Sequence, residues 1–250
     1  MEYDIVIGLE THVELATQTK VFCGCKNQFG GAPNTHCCEV CTGMPGALPT
    51  INEKAVEFTV KAGLATHCTI HNEFYFERKN YFYPDLAKAY QISQLVVPIC
   101  ANGYVEIPTA NGTKKVRIHE IHLEEDSGKL IHTPMGSLID YNRAGVPLVE
   151  TVTEPDMHSA EEAISYLNTL KSIYKYIGIS ECKMEQGALR CDVNISLKPK
   201  GAKQLGNRTE MKNINSFKAI ERAIAYEIER QKGLLEQGKP VVQETLRWDD

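Results

Sequence analysis

No stretch of this 250-residue sequence is apolar over the roughly 18 residues that a helix needs to cross a bilayer, so no membrane span is expected. The opening Met1-Glu2-Tyr3-Asp4 lacks the basic, apolar pattern of a secretory signal and the arginine-rich pattern of a transit peptide. The cytoplasm is therefore the expected compartment. A basic surplus is missing too. A net charge of −5 argues against a free-standing binder of nucleic-acid backbone, since clustered Lys and Arg make the phosphate contacts. There is no G-x-x-x-x-G-K-[ST] loop, kinase catalytic-loop signature, dinucleotide fingerprint or G-x-S-x-G elbow, which excludes the common nucleotide folds and a serine acyl-transfer enzyme. Repeats, low-complexity tracts and flexible linkers are also absent. What remains is the composition of an ordinary globular chain, 42% hydrophobic and 24% charged, read as one continuous α+β unit.

Nine cysteines are present. In a reducing compartment an odd number of them points to thiols or metal ligands rather than a disulfide framework. The spacing Cys23-x-Cys25, 12 residues, Cys38-x-x-Cys41 is close to that of a zinc ribbon with one short knuckle. Gly30, Gly31 and Pro33 let the loop return, while Cys37 and His36 remain competing ligands. Four thiolates saturate a tetrahedral zinc ion and leave no position for water or substrate, so a zinc-binding insertion over about residues 22–45 is expected to be structural.

Periodicity predicts a helix capped by Ser159 and Glu162 and stopped at Gly178, a second from Asn215 and Ser216 to about Gly238, and a weaker third after Asn52. A period of two puts Glu10, His12 and Glu14 opposite Leu9, Val13 and Leu15. It likewise puts Arg190, Asp192, Asn194 and Ser196 opposite Leu189, Cys191, Val193, Ile195 and Leu197. The strand around Val116 to Glu125 is ambiguous, because acidic or imidazole groups fall on both of its faces. Glu244 to Asp250 reads as a strand that stops without a terminal signal, as expected of a chain cut from something longer.

Two constellations can carry chemistry. Glu10, His12, Glu14, the run Glu124-Glu125-Asp126 and Glu150 offer hard oxygen ligands from separate strands, as magnesium sites in nucleotide enzymes do. The segment Arg78-Lys79-Asn80-Tyr81-Phe82-Tyr83-Pro84-Asp85 mixes cations with aromatics, a combination suited to a polyanion and a stacked base, though also to a core edge.

Taken together, Ile7 to Leu15, Arg78 to Asp85, Ala89 to Gln94, His122 to Lys129, Asn142-Arg143 and Gly187 to Leu197 resemble one family from Tyr3 to the end of the chain. That family is GatB, a component of tRNA-dependent aspartyl/glutamyl amidotransferases. The resemblance implies an antiparallel sheet cradle with covering helices, similar to the glutamine synthetase catalytic domain. It implies an ATP-dependent kinase that phosphorylates the side-chain carboxylate of Glu-tRNA(Gln) or Asp-tRNA(Asn), followed by amidation with ammonia from an amidase subunit. The implied partners are that amidase, GatA, a small subunit, GatC, and a misacylated tRNA. Family members continue past position 250 into helical and tail domains that grip the tRNA, so the chain alone is expected to bind tRNA weakly.

Matched motif to motif, the resemblance puts magnesium on His12, Glu125 and Glu150, with Glu10 nearby. It gives Lys79 and Arg143 to phosphate or acyl-phosphate charge, and Tyr81, Gln91, Ser93, Arg190, Asp192, Lys212 and Asn215 to the pocket or ammonia channel. The competing expectations are a non-catalytic zinc scaffold and a small-molecule amide ligase of the glutamine synthetase type.

Overall fold

Where Leu9, Val13 and Leu15 alternate with Glu10, His12 and Glu14, the chain is extended as β1 (Tyr3–Glu14). The computed structural model describes residues 2–249. After β1 come a long loop, α1 (Glu53–Ala65), β2 (Thr69–Ile70), β3 (Glu77–Asn80), β4 (Tyr90–Ser93), β5 (Cys100–Thr109) and β6 (Gly112–Glu125). There follow β7 (Lys129–Thr133), β8 (Gly136–Asp140), β9 (Pro147–Thr153), α2 (Ala160–Tyr176) and β10 (Leu189–Pro199). The chain closes with β11 (Thr209–Lys212), α3 (Phe217–Glu236) and β12 (Glu244–Arg247).

The helices begin where side chains satisfy their free backbone donors. Asn52 Oδ1 accepts from Lys54 N at 2.9 Å, Ser159 Oγ from Glu162 N at 3.2 Å and Ser216 Oγ from Ala219 N at 3.0 Å. At α2 the Glu162 carboxylate departs from a simple capping box. It reaches one residue further out, to His158 N at 2.7 Å, and also holds Lys114 at 2.7 Å.

Among the described residues, eight strands form one sheet in the order β12-β11-β10-β1-β9-β6-β5-β2, antiparallel at every pair except β11 and β12, which run parallel at the edge. The hairpins β3-β4 and β7-β8 stand apart from it. The mostly antiparallel α+β architecture thus follows the sequence expectation. All three helices contribute to one buried cluster with the inward rows of the sheet: Phe58 and Ala62, Tyr166, Leu167 and Leu170, and Ile220 and Ile224 meet Ile7, Leu9, Val13, Val149 and Val193. Burial of this apolar area is the main stabilising term. One face of the sheet is therefore covered, and the half-buried row Glu10, His12, Glu14, Glu150, Arg190, Asp192 and Asn194 occupies the other.

The ambiguity of β6 has a mechanical cause. Its pairing with β9 shifts register between Ile118 and Glu120. An extra residue in a strand reverses the parity of everything after it. Val116 and Ile118 are buried before the shift, whereas Ile121 and Leu123 are the inward residues after it. Glu125 continues that inward row, and Glu120, His122 and Glu124 take the polar face. No helix is long and apolar enough to cross a membrane among the described residues.

Candidate active site and metal centres

Glu150 sits at the middle of the polar face because β9 lies between β1 and β6, in register with His12 on one side and His122 on the other. Its Oε2 is 3.3 Å from His12 Nε2 and 3.1 Å from His122 Nε2. Glu124 Oε1 lies 3.9 Å from His12 Nε2, and its other oxygen accepts from Ser93 Oγ at 3.1 Å. The ligating atoms of His12, Glu124 and Glu150 all fall within 4.8 Å of one another. Two carboxylates and an imidazole are a donor set able to hold a divalent cation whose remaining positions go to water and phosphate oxygens.

The electrostatics are those of a crowded anionic site. Burial alone would raise the Glu150 carboxyl, but hydrogen bonds from His12 and His122 pull it well below its ordinary value. Burial would lower His12, yet the hydrogen bond and charge of Glu150, then the charge of Glu124, raise it. Glu10 is raised by burial and then by the charge of Glu150. Glu14 is pushed up to about 8, first by burial and then by the neighbouring Asp126. Asp126 is itself lowered despite its burial, because Arg190 and Arg143 flank it. Arg190 Nη2 donates to Asp126 Oδ2 at 2.6 Å, with Arg143 Nε 3.7 Å away.

The grouping of Glu125 with His12 and Glu150 does not hold in this geometry; Glu124 stands in that place. The inward parity of Ile121 and Leu123 carries Glu125 to the other side of the strand, where Lys88 Nζ donates to both of its carboxylate oxygens and Ile92 N to one at 2.9 Å. Gln91 braces the same residue by donating to its backbone oxygen at 2.8 Å. Burial raises the Glu125 carboxyl in spite of Lys88.

Other predicted residues divide between the site and the surface. Ser93 reaches Glu124. Tyr81 is half-buried, and burial, followed by the charge of Asp85 and the Glu124 to Asp126 run, pushes its phenol up to about 12. Arg143 donates to the carbonyls of Ser127 at 3.0 Å and Gly128 at 2.8 Å, which aims its guanidinium beside Asp126. Lys79 and Asn215 are exposed, on β3 and in the turn before α3. Lys212 Nζ bonds Asp192 at 2.6 Å and Glu210 at 2.9 Å, so the acidic group Glu10, Asp192 and Glu210 already holds a side-chain cation. Beyond Glu10 the polar face deepens into a cavity of about 340 Å³ lined by Gly8, Val152, Asn194, Asn207 and Arg208 among others.

Sequence reasoning held Glu124 only as part of the candidate run Glu124-Glu125-Asp126, gave the magnesium position to Glu125, and assigned no role to His122 or Lys88. Alternation about Ile121 and Leu123 as core positions would have placed His122 and Glu124 together on the other face. Lys88 carries no spacing signal, since only the crossing of β4 over the end of β6 brings its loop to Glu125.

The four cysteines also converge. Cys23 and Cys41 Sγ are 3.5 Å apart and Cys38 and Cys41 Sγ 3.8 Å, and all four sulfurs, Cys25 included, lie within 4.8 Å of one another. Four soft donors at that separation fit a tetrahedral thiolate metal such as zinc. The Cys41 thiol is lowered, first by the hydrogen bond from Cys23 and then by Cys38 N and Lys20.

The family model for the GatB/GatE catalytic domain matches residues 5–250. A relative from Agathobacter rectalis, the B component of an aspartyl/glutamyl-tRNA(Asn/Gln) amidotransferase, is 63% identical over 250 residues, covering 99% of this chain and 53% of that protein. Proteins of the same name from Lachnoclostridium phytofermentans and Caldicellulosiruptor saccharolyticus are 60% and 58% identical, each with 52% of its length covered. The chain thus spans about half the length of the curated relatives it matches. With 246 consecutive residues matched out of 250, the chain belongs to the GatB/GatE catalytic domain family.

Proposed function

We propose that the polar face of the sheet is the phosphoryl-transfer site of a tRNA-dependent amidotransferase, with Glu-tRNA(Gln) or Asp-tRNA(Asn) as acceptor and ATP as donor. The observation that carries this reading is the convergence of His12, Glu124 and Glu150 from three strands beside a cavity of about 340 Å³, in a chain related to proteins that bear the amidotransferase name. That volume falls in the range of small-molecule sites.

A carboxylate is a poor electrophile because oxide is a poor leaving group. One carboxylate oxygen attacks the γ-phosphorus of ATP, ADP departs, and the acyl phosphate that forms has phosphate as its leaving group. Ammonia then attacks the acyl carbon and phosphate leaves, giving the amide. Magnesium held by Glu124, Glu150 and His12 would neutralise phosphate oxygens during the transfer. The guanidinium groups of Arg143 and Arg190, fixed beside Asp126, can stabilise charge on the transferring phosphoryl group. The cavity beyond Glu10 suits the rest of the nucleotide. The cysteine cluster takes a structural zinc. An amidase such as GatA would supply ammonia, with GatC completing the assembly, and the tRNA body would be held mainly by regions outside these residues.

The test is Glu124→Gln in the complete amidotransferase. ATP hydrolysis stimulated by misacylated tRNA is expected to collapse, with assembly of the complex retained. Unchanged hydrolysis would favour a scaffold, and equal turnover of free glutamate and Glu-tRNA would favour a small-molecule ligase.

A further inference from the structure

Lys20 is completely buried, yet its two side-chain partners are a sulfur and a carbonyl rather than a carboxylate. Its Nζ donates to Cys41 Sγ at 3.3 Å and to the backbone oxygen of Tyr141 at 3.2 Å. A buried cation needs a nearby anion. A zinc ion with four thiolates carries two net negative charges, and Lys20 is placed to offset one of them.

The second partner matters as much as the first. Tyr141 lies two residues before Arg143, in the segment that joins β8 to β9. The end of β8 and that segment are tied to the cysteine loop along their length. Asn34 Nδ2 donates to Ile139 O at 3.0 Å, Asn34 N to Asp140 Oδ1 at 3.0 Å, and Tyr141 N to Asn34 Oδ1 at 2.8 Å. His36 N donates to Asn142 Oδ1 at 2.7 Å, and Asn142 Nδ2 to Ala32 O at 2.6 Å. Val21 N closes the set on Gly145 O at 2.9 Å. Most of these bonds are exposed, where water competes for the same groups. Of the donors named, Lys20 and Val21 lie wholly inside, and Lys20 is the side chain among them.

We propose that Lys20 is a positioning residue that links the cysteine metal site to the Arg143 segment, so that metal occupancy sets the order of residues 139–145 and the aim of Arg143 at the acidic face. This rests on the reading of the cysteine cluster as a zinc site. Loss of zinc would free the cysteine loop, weaken the negative charge that Lys20 faces, and loosen the hold on the Tyr141 carbonyl with it. Lys20 does not touch the reacting atoms; it acts through the backbone that carries Arg143. Partners outside a metal's ligand shell tune the metal in this way.

The experiment compares zinc-loaded and chelator-stripped protein by amide hydrogen exchange. Stripping is expected to speed exchange across 139–145 while leaving α3 unchanged. In parallel, Lys20→Met is expected to release zinc to a chromophoric chelator about 10- to 100-fold faster than the unaltered chain. Unchanged exchange over 139–145 after zinc removal overturns the coupling, as does an unaltered release rate in Lys20→Met. Protein that takes up no zinc at all defeats the zinc reading itself, an outcome distinct from either. If Lys20→Met does not fold, the exchange comparison on the unaltered chain still decides.

Discussion

Glu124 and Glu125 are adjacent, chemically identical and both buried, yet the pleat sends them to opposite faces of one strand. Their substitutions should therefore fail in different ways. Glu125→Gln leaves the largely covered Lys88 side chain, 12% exposed, without its anion, and breaking a pair of that kind costs about 3 kcal/mol. Urea denaturation should show that loss as a lower midpoint. Glu124→Gln keeps Ser93 as a hydrogen-bond donor and loosens only the longer contacts to His12 at 3.9 Å and His122 at 3.8 Å, so its denaturation midpoint should fall less than that of Glu125→Gln while nucleotide turnover falls. Equal destabilisation of the two variants would contradict the parity of β6.

At the scale of elements, α3 illustrates how a helix face can carry more than apolar packing. Ile220, Ala223 and Ile224 are buried as the pattern predicts, but the same face also buries Glu227 and Gln231. Gln231 donates to Ile195 O at 3.1 Å and accepts from Leu197 N at 3.1 Å, while Glu227 accepts from Thr209 Oγ1 at 2.7 Å and from Arg230. This network fastens the helix to β10 and β11. Burial opposes ionisation of Glu227, but Arg230, Gln231 and Thr209 prevail and hold its carboxyl below the ordinary 4.5. A carboxylate depressed in the folded state adds stability that is present above 4.5 and lost as pH falls through the folded value. Glu227→Gln should thus lower stability at neutral pH by about 1–3 kcal/mol. It should also flatten the acid limb of a plot of stability against pH; an acid limb as steep as that of the unaltered chain would rule this network out as its source.

For the molecule as a whole, the cysteine loop between β1 and α1 contains no helix or strand and relies on cross-links to hold its shape. A ligand that binds only the folded state stabilises by mass action, about 2.7 kcal/mol at a hundredfold excess over its dissociation constant. Zinc-loaded protein should therefore melt at a higher temperature than stripped protein by several degrees. Identical melting curves would mean that the four sulfurs hold no metal under those conditions. The open face and the cysteine loop meet at residues 139–145, so the cysteine cluster and the His12, Glu124 and Glu150 group are not independent parts of the fold.

Much of this was legible in the sequence. The caps at Asn52, Ser159 and Ser216, the alternation in β1 and β10 and the cysteine spacing are local signals, set by backbone donors and by the pleat. They fixed which residues share a face within a strand and where helices start. Which strands lie side by side was not local. Only the sheet order β1-β9-β6 puts Glu150 between His12 and His122, and only the register shift at Ile118 and Glu120 turns Glu124 toward them and Glu125 away. Lys20 and Lys88 belong to the same class. Each found its partner across a distance in the chain, Cys41 and Glu125, and for a lysine that must bury its charge the partner's position is decided by packing rather than by sequence spacing.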